Sequence, residues 1–348
     1  MLVSPDLSEF EAAARDTDTR KALDRALRDL RTAHATKADL VDAVYRAAKD
    51  AASAMVIPPV AKPNLAKRNG DKPEVAIALL SDWQLGKLTP SYDSEVCAQR
   101  VRRYAAKVVE LIELQRTHHP VDEARIYLLG DLVEGEEIFP GQSHRIDASL
   151  YSQLFTAAQL IAEVVRTVAA SVGLVRVVGC IGNHGALGGP VRRSYHPETN
   201  ADAMAYNVAR MLVKGNAGTG EPRIEWPETL TAGERSWYAT DEVMGHRWFM
   251  FHGDQIKSAS FGIPWYGFNK RLLGWATSVA PFTHSASGHW HQAVSFPVNG
   301  INHWGGGSTE SGNTYAQEYL ASGGQEPTQW LLFMGENGVT SEYRVRLG

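Results

Sequence analysis

The chain has 348 residues, of which 44% are hydrophobic and 21% are charged, and its net charge at pH 7 is -4. This ordinary globular composition excludes a disordered tail, a collagen-like fibre and a coiled-coil rod, and it argues against a highly basic nucleic-acid coat protein. Two cysteines provide no disulfide framework, which favours a reducing cytoplasm. The sequence has no secretory signal and no apolar run near the roughly 20 residues of a membrane span, so no membrane contact is expected.

Residues 1–55 predict a helical arm. Leu23, Leu27 and Leu30 recur at helical spacing, and Thr36 opens a second amphipathic segment. Two such helices cannot bury both apolar stripes alone, so the arm is predicted to dock on the main domain or to form a homo-oligomer. A DNA-binding helix-turn-helix is the alternative for residues 36–51, where basic and acidic side chains are mixed.

Residues 56–73 predict an extended linker because prolines and basic residues are dense there. The prolines are Pro58, Pro59, Pro63 and Pro73, and the basic residues are Lys62, Lys67, Arg68 and Lys72. The main domain is therefore predicted to span residues 74–348.

The main domain begins with short apolar runs that alternate with longer helical stretches. These predicted elements are Val75–Leu80 (strand), Ser94–Gln115 (helix), Ala124–Leu129 (strand), Ser149–Ala170 (helix) and Leu174–Ile181 (strand). This β-α-β-α-β order predicts a parallel sheet with crossover helices. The strands predicted after Gly215 are Arg223–Trp226, Ser236–Thr240, His246–Phe251, Phe282–Ser287, Val294–Val298 and Trp330–Met334.

Polar side chains follow five of these strands. In chain order they are Asp82, Gln84, Asp131, Asn183, His184, His252, His289 and His291. Functional groups of open α/β sheets collect beyond the carboxyl ends of the strands, so these side chains are expected at one edge. Oxygen and imidazole donors without thiolates suit Mn, Fe, Zn or Ni rather than a structural zinc site.

The segment Gly288-His289-Trp290-His291 is predicted to direct both imidazoles into this site. Residues two apart on a strand face the same side, and the preceding glycine lets the backbone turn sharply. The whole set contains too many ligands for one metal ion. It suits two metals that share a carboxylate, as in displacement at phosphorus.

In order, the motifs D-x-Q, G-D-x-x-x-G, G-N-H, H-G-D and G-H-x-H resemble those of the calcineurin-like metallophosphoesterase superfamily. The resemblance extends from Val75 to Glu310. It implies an α/β fold, a layered sandwich of two mixed sheets flanked by helices. The segments Ser81–Lys87 and Phe139–Gln142 look most like phage-borne members, and the motif order is similar to that of double-strand-break repair nucleases.

The resemblance also implies roles for individual residues. The ligands of the first metal are Asp82, Gln84, Asp131 and His291. The ligands of the second metal are Asp131, Asn183, His252 and His289, so Asp131 bridges the two ions. A hydroxide that bridges the metals is the implied nucleophile, and His184 is the implied general acid or charge stabiliser beside the leaving group.

One position departs from the family pattern, in which the first motif is usually D-x-H. Gln84 occupies the place of that histidine. An amide oxygen is a harder and weaker ligand than imidazole, which favours Mn²⁺ over Zn²⁺ and puts the occupancy of this metal position in question. Some superfamily members that hydrolyse nucleotide diphosphates are similar to this chain in having glutamine there.

Several residues between the motifs are candidates for substrate binding. Arg192 and Arg193 follow the third motif and suit phosphate oxygens, and His144 lies in the loop after the second motif. Tyr266 belongs to the aromatic segment Phe261–Phe268, and Arg271 follows it. Aromatic rings beside cations suit a nucleobase or a single strand, although a hydrophobic lid or core segment explains the same residues equally well.

The preferred interpretation is a two-metal phosphoesterase that hydrolyses a phosphodiester in nucleic acid or a nucleotide. A phage nuclease is one form of it and implies the host cytoplasm as location. The acidic main domain counts against duplex binding, so a nucleotide or diphosphate hydrolase is the first alternative. An inactive scaffold that binds partners through the same fold is the second.

Overall fold

The computed structural model of the chain describes residues 72–138, 141–187, 199–213, 223–227, 237–257, 263–312 and 326–348, together with Ala43 and Arg46. The chain divides into two units between Ser53 and Ala54. The predicted arm and linker lie outside the described residues, apart from Ala43 and Arg46, which are helical and exposed, and residues 72–73. The division into arm, linker and main domain stays a prediction.

Four α-helices and eleven β-strands form the described part of the chain. The helices are α1 (Ser94–Gln115), α2 (Leu150–Ala169), α3 (Ala201–Val213) and α4 (Trp265–Ser278). The strands are β1 (Val75–Leu80), β2 (Glu123–Leu128), β3 (Leu174–Gly179), β4 (Arg223–Glu225), β5 (Tyr238–Val243), β6 (His246–Phe251), β7 (His284–Ser287), β8 (Val294–Val298), β9 (Ile301–Gly305), β10 (Thr328–Gly335) and β11 (Gly338–Arg346). Within the described ranges, no helix combines the length and apolar character needed to cross a bilayer.

The first sheet has the strand order β11-β10-β1-β2-β3-β4. Strands β1 to β4 run parallel, whereas β10 is antiparallel to β1 and β11. Leu80 pairs with Leu128, and Leu128 pairs with Gly179, so the three central strands end level at one edge. The predicted parallel arrangement of the first three strands is confirmed.

The second sheet has the order β5-β6-β7-β9-β8, with β6, β7 and β9 parallel. These three strands also end level, because Phe251 pairs with Ser287 and Ser287 pairs with Gly305. The antiparallel outer strands β5 and β8 are joined to their neighbours by two-residue turns, 244–245 and 299–300. All four turn residues have positive φ, which matches the right-handed twist of a hairpin.

The two sheets pack face to face. Ile77 and Leu79 of the first sheet share one buried cluster with Trp248 and Met250 of the second. Helix α4 covers the outer face of the second sheet, and Tyr104 of α1 donates a hydrogen bond to the Trp330 carbonyl of β10 over 2.6 Å. The predicted layered α/β sandwich of two mixed sheets flanked by helices is confirmed.

The sequence patterns missed α3, α4, β9 and β11. For the aromatic segment before Arg271, the sequence left two interpretations, a stacking surface and a core segment. Helix α4 combines an exposed ring, Tyr266, with a buried one, Phe268. Phe268, Leu272 and Trp275 recur at helical spacing and pack on the second sheet. Pro264 and the glycines near it gave this segment the composition of a loop.

A buried histidine in the second sheet leads to a prediction about stability. The His303 ring is fully buried, with Nδ1 2.9 Å from Ser285 Oγ and Nε2 3.2 Å from Ser287 Oγ. Burial lowers its pKa to about 3. The folded protein therefore binds fewer protons than the unfolded chain below the ordinary histidine pKa of about 6.5, and stability is lost as the pH falls from about 6.5 towards 3.

We expect wild-type protein to lose roughly 1 kcal/mol more than His303→Gln between pH 7.5 and pH 5.5. Urea unfolding at both pH values measures this difference. Equal losses in the two proteins would contradict the assignment of His303 as a neutral buried ring.

Candidate functional site

The polar residues that follow the strands meet at one edge of the sandwich. Asp82 and Gln84 follow β1, Asp131 follows β2, and Asn183 follows β3. The second sheet contributes the histidines that follow β6 and β7. Because both sheets end level at this edge, residues more than 200 positions apart come within hydrogen-bonding distance, as in the 3.0 Å bond from the His289 backbone amide to Asp82 Oδ1.

The backbone at this edge is unusual. Five of the predicted ligands have φ in the left-handed region, namely Asp82 (52°), Gln84 (49°), Asp131 (53°), His289 (73°) and His291 (50°). In the described part of the chain, the other non-glycine residues with positive φ are Met244 and Asn299, both in hairpin turns. Such conformations cost free energy and persist where the surrounding structure enforces them, which is typical of functional sites.

The left-handed histidines correct one prediction. His289 and His291 do not alternate along a strand, since β7 ends at Ser287 and both lie in the loop beyond it. What brings this loop to the site is Gly288, where an added Cβ would lie 1.9 Å from Ser81 Oγ and 2.5 Å from Asp82 Oδ2. The alternation argument is wrong, although both rings reach the edge.

One group of donors surrounds Asp131. His252 Nε2 lies 2.9 Å from Asp131 Oδ2 and 3.3 Å from His289 Nδ1, and ligand atoms of the three residues all lie within 4.8 Å of one another. The other ring nitrogen of His252 lies 2.8 Å from the Leu129 carbonyl, which holds Nε2 towards the site. Asn183 Oδ1 is buried at the same edge without a hydrogen-bond partner.

The second group of donors consists of Asp82, Gln84 and His291 and also reaches Asp131. His291 Nε2 is 3.4 Å from Asp82 Oδ1, and Gln84 Nε2 is 3.5 Å from both His291 Nε2 and Asp131 Oδ2. Gln84 Oε1 is buried and has no hydrogen-bond partner. Rotating this amide by 180° turns its oxygen towards the same two neighbours.

The donors at this edge suit the binding of a divalent cation. Buried amide oxygens nearly always have a partner, and Gln84 and Asn183 each present one that no protein donor satisfies. The pKa values indicate that a proton competes with a cation at two of the three histidines but not at the third. Burial lowers the pKa of His252 and of His291, but the carboxylates of Asp131 and Asp82 outweigh it and raise both to about 10. Burial and the nearby His252 charge lower the pKa of His289 to about 3.

His184 lies beside the donors. Its amide donates to Asp131 Oδ1 over 2.7 Å, Nδ1 lies 2.8 Å from the Glu134 carbonyl, and Nε2 is 3.9 Å from Asp131 Oδ2. Burial lowers the His184 pKa, but the carboxylates of Asp131 and Glu134 outweigh burial and raise it to about 9. Without a bound cation, these two carboxylates therefore favour the protonated ring.

Sequence reasoning missed two buried carboxylates that support the site. Asp202, at the start of α3, accepts the amides of Asp131, Leu132 and Gly182 over 2.9–3.0 Å. Burial, with the nearby Asp131 charge, raises its pKa to about 6. Glu310 contacts His291. Neither residue lies in a motif, and the acidic first turn of α3 is the one local signal for Asp202.

The predicted substrate-binding residues are described only in part, and their role stays a prediction. Arg192 and Arg193 lie outside the described residues. His144 ends a short 3-10 helix and is exposed, and Tyr266 and Arg271 are exposed on α4, with Tyr266 93% accessible.

No family model and no curated protein matches this chain. Solved structures do match it, among them an archaeal phosphodiesterase (9% identity, TM-score 0.35, covering 78% of this chain and 99% of that chain). Others are the phosphoesterase YfcE from E. coli (15%, 0.31, 79% and 100%) and vacuolar protein sorting 29 from Cryptosporidium parvum (10%, 0.35, 79% and 100%). The class defined by the fold and the site is a layered α/β protein with motifs similar to those of calcineurin-like metallophosphoesterases.

Proposed function

We propose that the protein is a metal-dependent phosphoesterase that uses two divalent cations to hydrolyse phosphodiester bonds. The observation that carries the proposal is the set of donors around Asp131 and Asp82, which includes two buried amide oxygens without a protein partner. No thiolate is present among them, and a carboxylate faces both groups. This is the donor set expected for a two-metal centre that acts on phosphorus.

Asp82, Gln84, Asp131 and His291 would hold one cation, and Asp131, Asn183, His252 and His289 the other. When bound, the cations would activate a water molecule and neutralise charge at the phosphorus. Mn²⁺ is the preferred ion because three of the four donors at the first position are carboxylate or amide oxygens, although Fe, Zn and Ni also suit the set.

His184 is proposed as the general acid. The Glu134 carbonyl contacts Nδ1 of the His184 ring. The other ring nitrogen, Nε2, therefore points towards Asp131. In the metal-free protein the His184 pKa is raised to about 9, which favours a protonated ring that can give its proton to the leaving oxygen.

The proposed substrate is a phosphodiester in nucleic acid or a nucleotide. Helix α4 has no acidic residue, and it exposes Tyr266, Lys270 and Arg271 to solvent. Tyr266 and Lys270 lie about one helical turn apart, and Arg271 adds a second exposed cation to the helix; a stacking ring with cations on the same helix favours a single strand over a duplex. Arg192, Arg193 and His144 are proposed as further phosphate contacts. A phage nuclease in the host cytoplasm is the form we favour. Residues 1–55 are proposed to mediate self-association, and light scattering of the full chain and of a chain that lacks these residues tests this.

Hydrolysis assays test the proposal. Metal-free protein is given Mn²⁺ with a chromogenic phosphodiester, a phosphomonoester, single-stranded DNA and a nucleotide diphosphate. We expect turnover of the diester and the DNA only when metal is present. Turnover confined to the nucleotide would favour the diphosphate hydrolase that Gln84 suggests, and no turnover of any ester would favour the non-catalytic scaffold.

The exposed face of α4 gives a prediction about substrate binding. We expect Tyr266→Ala combined with Arg271→Ala to raise KM for a single-stranded oligonucleotide at least about fivefold, because base stacking contributes about 1–3 kcal/mol per base. Turnover of the small chromogenic diester should not change. Arg344→Ala, on β11 of the other sheet, is the matched control. Equal KM values in all three proteins would remove α4 from the substrate site.

A further inference from the structure

The segment Ser308–Glu310, which follows β9, contacts the loop that contains Asp82 and Gln84. Ser308 Oγ donates to the Asp82 carbonyl over 2.6 Å, and the Thr309 amide reaches the same oxygen over 3.3 Å. Thr309 Oγ1 donates to the Trp83 carbonyl over 3.1 Å. These bonds are made across more than 220 residues of sequence. They fix the backbone carbonyls of the first motif.

Glu310 extends this contact to the last motif. Its side chain is 2% exposed, and its two oxygens have different partners. Oε2 lies 3.1 Å from His291 Nδ1, and Oε1 lies 2.7 Å from Lys87 Nζ. A carboxylate this deeply buried is costly unless charged or polar partners surround it. Glu310 is therefore held by charge interactions with these two partners, since neither contact has hydrogen-bond geometry.

Lys87 connects Glu310 to the predicted ligand Gln84. The Lys87 amide donates to the Gln84 carbonyl over 3.0 Å, which makes a tight turn of residues 84–87. The backbone of Gln84 is thus connected through Lys87 and Glu310 to the ring of His291. Gln84 and His291, which are far apart in sequence, are thus both connected to the Lys87–Glu310 ion pair.

The Lys87–Glu310 ion pair also decides which nitrogen of His291 is available. With Nδ1 directed to Glu310, Nε2 faces Asp82 and Gln84. A histidine ligand whose second ring nitrogen contacts a carboxylate is fixed in tautomer and orientation and is a stronger donor. This strengthening occurs at the metal position where the amide of Gln84 is the weak ligand.

We propose that Glu310, held by Lys87, is a positioning residue that orients His291 and compensates for Gln84 at the first metal position. The inference rests on the proposed function, because it concerns one of the two cations. It predicts a selective effect: loss of the Glu310 charge weakens the cation that shares His291, Gln84 and Asp82. The cation between His252, His289 and Asn183 keeps its affinity.

Titration calorimetry of the metal-free full-length protein with Mn²⁺ tests this. We expect two binding events in wild type, and in Glu310→Gln a loss of about 10–100-fold in the affinity of one event only. Because Glu310→Gln leaves Lys87 without its partner, the double variant Lys87→Met/Glu310→Gln is measured as well and should show the same selective loss. Glu342→Gln, an exposed glutamate on β11, is the control and should match wild type.

Three results would overturn the inference. Two wild-type affinities in Glu310→Gln and in the double variant would show that His291 needs no support. An equal weakening of both events, with a lower unfolding midpoint of the metal-free protein, would show a general structural role. A wild-type protein that binds no Mn²⁺ would overturn the proposed function itself, and this inference with it.

Discussion

Asp131→Asn is expected to lower kcat for the chromogenic diester by roughly 1,000-fold, which corresponds to about 4 kcal/mol of transition-state stabilisation. Asp131 Oδ2 lies 2.9 Å from His252 Nε2 and 3.5 Å from Gln84 Nε2, so this oxygen faces both groups of donors. Burial raises the Asp131 pKa, but His252 and His184 outweigh burial and hold it well below its usual range. The carboxylate is therefore charged, and asparagine keeps its shape without its charge.

The same substitution should weaken both Mn²⁺ binding events, which calorimetry measures independently of turnover. Far-ultraviolet circular dichroism of the metal-free variant checks that the sandwich is retained. Glu342→Gln serves again as the control. Wild-type turnover in Asp131→Asn would remove the bridging carboxylate from the mechanism, whatever metal the protein uses.

Asp202→Asn is expected to destabilise the metal-free protein by about 2–3 kcal/mol. Asp202 Oδ2 accepts the amides of Asp131 and Gly182 and Oδ1 accepts the amide of Leu132, all inside the protein. Asparagine replaces one of these acceptors with an NH₂ group, which leaves a buried N–H opposite another donor. Urea unfolding at pH 7.5 measures the change, and the exposed Asp122→Asn is the matched control.

This variant should also lose metal affinity, since Asp202 holds the loops that follow β2 and β3 together. An added Cβ at Gly182 would lie 2.1 Å from Asp131 Oδ1, which shows how closely these loops approach. If Asp202→Asn unfolds at the same urea concentration as Asp122→Asn, the carboxylate does not organise the loops. If Asp202→Asn keeps the wild-type affinity for Mn²⁺, the stability of these loops does not affect the metal site.

Much of the sandwich was predictable because its signals are local. The buried strand β1 is a continuous apolar run, and α1 begins at Ser94 and ends at Gln115 as its periodicity predicts. The signals failed where local composition and tertiary packing disagree. The glycines of α4 are typical of a loop in the sequence. Its helical stripe of Phe268, Leu272 and Trp275 is stabilised by packing on the outer face of the second sheet.

The candidate site divides in the same way. By itself, the sequence determined which donors follow which strands, because a strand and the motif after it both depend on residues adjacent in sequence. Only the tertiary structure decided how those donors are held. The left-handed turns at Asp82 and His291, the Asp202 acceptor and the Lys87–Glu310 pair depend on hydrogen bonds and charges between segments far apart in sequence. Those contacts form once the two sheets bring their carboxyl ends to one edge, and no local pattern records them.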